Sequence, residues 1–201
     1  SWEFRLDGGA WQTAGASGNQ LTLSGLRNGT SYSFEVRAVN VVGASDPSGP
    51  GTGTPRAVPS APGNLLAVPG AGTVGLAWSA PTSANGSAIT DYVVQRSTSV
   101  EGPWTTITDG VGTTLVATAG GLTNGTTYRF RVAAVNAAGT GANSAVAEAT
   151  PFTTPDAPVV SSISSADGGL VVDLGASSDG GADLIRYEYR LDSGTWTDTG
   201  T

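Results

Sequence analysis

The sequence predicts an all-β protein in which two-layer antiparallel sandwiches follow one another in tandem, and three observations carry that expectation. The stretch GLRNGTSYSFEVRAVN (25–40) returns as GLTNGTTYRFRVAAVN (121–136), an offset of 96 with 11 of 16 positions identical. From residue 31 the mismatches fall at 31, 33, 35 and 37, every second place, which is the period of a strand. The retained face, Tyr32, Phe34, Val36 and Ala38, is the apolar one, as a buried sheet surface requires. Composition agrees: 30 Gly and 11 Pro punctuate a Thr-, Ser- and Val-rich chain that lacks Met and Lys, leaving few strong helix formers.

At the N-terminus, WEFRLDGGAWQTAG (2–15) matches YEYRLDSGTWTDTG (187–200) at an offset of 185. Each copy reads as a hairpin: an alternating strand, a turn at Asp7-Gly8-Gly9 or Asp192-Ser193-Gly194, then a short strand with Trp11 or Trp196. Two repeats of about 93 residues account for that spacing. The chain therefore divides into later strands of one unit (1–55), a complete unit (59–151) and early strands of a third (155–201). The joins TPRAVPSAP (54–62) and TPFTTPDAP (150–158) are short and Pro-rich, which predicts extended, semi-rigid connectors.

Within the middle unit, PSAPGNL leads into VGLAWSAP with Trp78 and Pro81, then ITDYVVQRS, PWTTI with Trp104, and GLTNGTTYRFRVAAVNAAG. Together these stretches resemble the fibronectin type III domain, and the resemblance covers the chain as half, whole and half. It implies an immunoglobulin-like β-sandwich with sheets A-B-E and C′-C-F-G packed face to face. Alternation and turn residues place A near 63–68, B near 73–79, C near 89–97, C′ near 103–108, E near 113–119, F near 126–135 and G near 142–149. Leu122 and Tyr128, six apart, look like the family's tyrosine-corner pair, and Leu26 and Tyr32 repeat it. The residues expected in cores and corners are Leu26, Tyr32, Phe34, Trp78, Tyr92, Leu122, Tyr128, Phe130, Val172 and Tyr187.

The third unit departs from the pattern, with Val172 where the strand-B Trp belongs and Gly175 where Pro81 sits, so its core is expected around Leu170, Leu174 and Tyr187. The first unit's last strand, SGPGTGT, contains Pro50 and belongs at a sheet edge. Neither F–G loop, NVVGASDPS nor NAAGTGANS, carries the Arg-Gly-Asp of integrin-binding members.

Chemistry is excluded largely by count. Without His or Cys there is no His-based triad, thiolate nucleophile, disulfide or thiolate metal site, and without Lys no Ser/Lys pair. The sequence points to no enzyme, no cofactor and no metal. Asp179 and Asp183 in SSDGGAD are the most calcium-like pair, but two carboxylates fall short of the six to eight oxygens calcium takes, so a Gly/Asp turn is the preferred reading. Asn28, Asn85 and Asn124 fit the N-glycan acceptor pattern and equally serve as turn residues; the Arg-only, Ala/Gly-rich composition suggests a bacterial source, which disfavours glycans. Trp11, Trp104 and Trp196 would stack on sugars if exposed in a row; cross-strand packing is preferred. A net charge of −7 with scattered Arg disfavours nucleic acid, and no apolar run is long enough for a helical membrane span.

Half a sandwich leaves its apolar face wet. Either the chain is a window on a longer array, the preferred expectation, or strands A and B of one copy complete strands C to G of the next and build a filament. The duplicated C and C′ strands argue against the second. The functional expectation is a non-catalytic spacer in a secreted or cell-surface bacterial protein. Its partners would be neighbouring units of the same or an identical chain, with a cell-surface protein or polysaccharide as further candidates. A filament subunit, and an adhesin or accessory module of a polysaccharide-degrading enzyme, are the alternatives.

Overall fold

The computed structural model describes residues 1–14 and 20–199, and every element among them is a β-strand. Gly15 and Gly200, the last matched pair of the end-to-end repeat, lie outside the described residues.

The first unit is a single antiparallel sheet. Strands β1 (Trp2–Leu6), β2 (Gln12–Thr13), β3 (Tyr32–Ala38) and β4 (Gly51–Gly53) lie in the order β2-β1-β3-β4. The long pairing runs from Trp2 opposite Ala38 to Leu6 opposite Phe34. Strand β4 pairs only with β3, so the segment after Pro50 is a sheet edge, where a residue without an N–H costs no ladder bond. Tyr32, Phe34 and Val36 are half-buried rather than enclosed, and so are Ser33, Glu35 and Arg37 behind them. Among the described residues no second sheet covers one face, and the other is covered by the ion pairs Arg5–Glu35 and Arg37–Glu3.

The middle unit contains both layers. Strands β5 (Gly63–Gly70), β6 (Thr73–Ser79) and β9 (Val116–Ala119) form one sheet in the order β5-β6-β9. The second contains β7 (Ile89–Ser97), β8 (Thr105–Thr106), β10 (Tyr128–Asn136) and β11 (Gly139–Asn143) in the order β11-β10-β7-β8, with β12 (Ala147–Ala149) also on β10. In β6 every second residue is buried, Val74, Leu76 and Trp78, because one face of a strand meets the opposite sheet. Those side chains meet Tyr92, Val94, Phe130, Val132 and Leu122 in one cluster.

Several strand limits differ from the expectation. Strand G is broken in two: Ser144 N donates to Val132 O, while Ser144 Oγ accepts from Val132 N and donates to Ala145 O. The side chain substitutes for a ladder group, and pairing resumes only at Ala147. Strand C′ contracts to Thr105–Thr106 and E to Val116–Ala119, leaving Trp104 just ahead of its strand.

The third unit consists of two hairpins, β13 (Val159–Ala166) with β14 (Gly169–Gly175), and β15 (Glu188–Tyr189) with β16 (Thr197–Asp198). The core expected around Leu170, Leu174 and Tyr187 is not closed: Leu170, Val172 and Leu174 are exposed, Val172 at 46%, and Tyr187 is half-buried. No F and G strands face this hairpin among the described residues, so its apolar side chains have nothing to pack into.

Candidate functional site

The corners are built alike. Tyr32 Oη accepts from the N–H of Arg27 at 3.0 Å and Tyr128 Oη from that of Thr123 at 3.1 Å. Donation from Thr123 holds the Tyr128 phenol below its usual range, whereas burial pushes Tyr92 up. Leu122 is buried beside the Tyr128 corner, while Leu26, beside Tyr32, is half-buried. Leu6, Leu23, Leu26, Tyr32 and Phe34 line an open recess of ≈ 450 Å³ on the first unit.

Outward-facing cations cover the tryptophans. Arg5 and Arg37 lie 4.8 and 4.2 Å from the Trp11 ring centre, Arg131 lies 4.1 Å from Trp104, and Arg190 lies 4.9 Å from Trp196. Carboxylates fix the first pair of cations: Arg5 meets Glu35 and Arg37 meets Glu3, each at 2.6 Å. The hydrogen bond from Arg5 holds the Glu35 carboxyl below its ordinary value against a smaller opposing effect of desolvation. In the middle unit Arg131 Nε donates to Gln95 Oε1 at 2.8 Å. The indoles are therefore bound up in cross-strand layers of cation and ring, with Trp196 the most exposed at 61%. Sequence reasoning found the rings but not the guanidinium layer. The available signal was Arg at alternate, outward positions of the strands beside each Trp.

Other polar candidates are held by backbone. Asp179 Oδ1 accepts from Gly181 N, and no group of three or more metal-ligating side chains occurs among the described residues. Asn124 Oδ1 accepts from Gly72 N, and Asn85 Nδ2 donates to Val58 O at 2.7 Å. Burial, with Asp91 adding repulsion, raises the Asp109 carboxyl.

The two joins are bonded in the same way. In the first, Gly29 N donates to Pro55 O, Ala57 N to Asn85 O, and Ser60 N to Ser83 O, at 2.9, 2.9 and 3.0 Å. In the second, Gly125 N donates to Pro151 O, Thr153 N to Gly180 O, and Asp156 N to Ser178 O, at 2.9, 2.8 and 3.0 Å. Asn136, 4% exposed, reaches from the end of β10 to donate to Ala57 O and Ala84 O, each at 2.9 Å.

A sequence profile of the family described as "Fibronectin type III domain" matches residues 5–54 and 60–150. Endoglucanase B of Cellulomonas fimi is 35% identical over 205 residues, covering 90% of this chain and 19% of that enzyme. Chitinase A1 of Niallia circulans is 35% identical over 147 residues, covering 68% of this chain and 19% of the chitinase. Human Myomesin-2 is 32% identical over 128 residues, 61% of this chain and 9% of that protein. The chain thus spans less than a fifth of the length of each of these relatives. Among solved structures, a titin segment matches with a TM-score of 0.51 at 23% identity, over 75% of this chain and 53% of that one, which speaks for the fold alone.

Proposed function

The chain belongs to the fibronectin type III family, and from that premise we propose that it is a non-catalytic spacer in a secreted or cell-surface bacterial protein. The observation that carries this reading is where its polar chemistry goes. The side chains of Arg5, Glu35, Arg37, Glu3 and Asn136 are committed to strand layers and to a join, and an open recess lies on the apolar face of the first unit. We assign residues 1–55 to strands C to G of one unit, 59–151 to a complete unit and 155–201 to strands A to C′ of a third. Strands of the A-B-E kind would then cover the recess, as they cover β7 and β10 in the middle unit. The similarity to an endoglucanase and a chitinase supports an extracellular setting beside a polysaccharide-degrading domain.

Incubation of the full chain with insoluble cellulose and chitin tests this. A spacer stays in the supernatant and releases no sugar. Retention lost on Trp196→Ala, the most exposed of the three indoles, would replace the spacer by a carbohydrate-binding module.

A further inference from the structure

At each join, the corner of one unit butts against the B–C loop of the next with no side chain between them. A Cβ on Gly86 would come within contact of Gly29 N and 2.7 Å from Pro55 O, and one on Gly181 would lie 2.7 Å from the Asn124 carbonyl carbon and 2.9 Å from Gly125 Cα. The approach is mutual: a Cβ on Gly29 would be 3.1 Å from Gly86 Cα, and one on Gly125 would be 3.2 Å from Gly181 Cα. Between these surfaces the connecting backbone is bonded on both sides. Pro55 O and Pro151 O accept from the corner behind, while Ala57 and Thr153 donate to the loop ahead. A Cβ on Gly141 would also collide with Pro59, so the first connector is pressed against the start of strand G as well.

We propose that the Asn-Gly corner of each unit is a docking surface for the B–C loop of the following unit, so that successive units are held at one fixed, repeated angle. Hydrogen bonds at matching positions in both joins, related by a shift of 95 or 96 residues, make the step from first to middle unit the same as that from middle to third. A constant step generates a stiff helical rod, whereas an unbonded Pro-rich tether would only limit bending. The partner this surface accepts is therefore specific: another unit of this kind with glycine at the tip of its B–C loop. The inference deepens the spacer reading and rests on it. A hinged chain that ignores polysaccharide would defeat the joint and leave the spacer standing.

The chain has no Cys, so paired spin labels can be placed at will. Val41→Cys with Val111→Cys reports the first join and Val111→Cys with Ile185→Cys the second, all at exposed positions. The joint predicts one narrow distance for each pair. Gly86→Val broadens the first distribution about twofold, toward that of a semi-flexible tether, and leaves the second unchanged; Gly181→Val does the reverse. Gly121→Ala imposes a side chain at φ +65 with no neighbour within 4 Å, and leaves both distances narrow. If circular dichroism shows that Gly86→Val fails to fold, Asn85→Gly decides: it keeps the positive φ of 50 and removes the side-chain bond to Val58 O together with the one accepted from Ser83 Oγ inside the same loop. Broadening of the first pair in that variant supports the joint. Broad distances in the parent chain, or an unchanged narrow distance across the altered join in folded Gly86→Val, Gly181→Val or Asn85→Gly, overturn it.

Discussion

Trp78 is 6% exposed and meets Tyr92 edge-on at a ring separation of 5.5 Å, in the layer between β6 and β7. Trp78→Ala removes that contact and leaves a cavity the surrounding strands cannot fill, which costs about 3–5 kcal/mol. Denaturant unfolding followed by far-ultraviolet circular dichroism reads the loss as a lower midpoint, and an unchanged midpoint would contradict the packing. At the surface the balance is electrostatic. Glu35 has a depressed carboxyl, so its contribution to stability is present above the unfolded carboxylate range and is lost as pH falls through the folded value. Arg5→Ala should move the Glu35 titration upward in a carboxyl carbon NMR experiment. A midpoint that stays low without Arg5 would assign the shift to another group.

At the scale of the element, each strand shows how far alternation reaches. Strands B and C of the middle unit, Thr73–Ser79 and Ile89–Ser97, have the limits expected from sequence because apolar and polar residues alternate up to clear turn residues. Strand G does not, since Ser144 breaks the ladder with its own hydroxyl and nothing in the alternation marks that residue. The cation layer was hidden for a related reason: an outward Arg on a strand reads as a solvated charge until the ring across from it is known. Trp104 and Arg131 form such a pair at 4.1 Å, and a double-mutant cycle to Ala should return a coupling of about 0.5–1 kcal/mol. Additive single effects would reduce the layer to chance proximity. The corner makes its own test: Tyr128→Phe removes the acceptor for Thr123 N–H and should lower stability by about 0.5–1.5 kcal/mol.

For the whole molecule, the duplicated segments reveal the repeat but not the joint. Asn28-Gly29 and Asn124-Gly125 are sufficient as turns before strand F, so their second role against Gly86 and Gly181 leaves no separate mark in the sequence. The flanking units show the converse. Their hairpins form where alternation predicts, although Trp11 and Trp196 fall just ahead of the short strands Gln12–Thr13 and Thr197–Asp198 expected to carry them. Yet Phe34 stays half-buried and Val172 exposed, because burial needs a facing sheet and not only an apolar pattern. Small-angle X-ray scattering on the full chain at several concentrations tests the spacer account most directly. Three units in line, each about 35 Å long, predict a concentration-independent monomer with a maximum dimension on the order of 100 Å. A compact particle, or a species that lengthens with concentration as one copy's Val159–Gly175 hairpin completes another's open face, would contradict it.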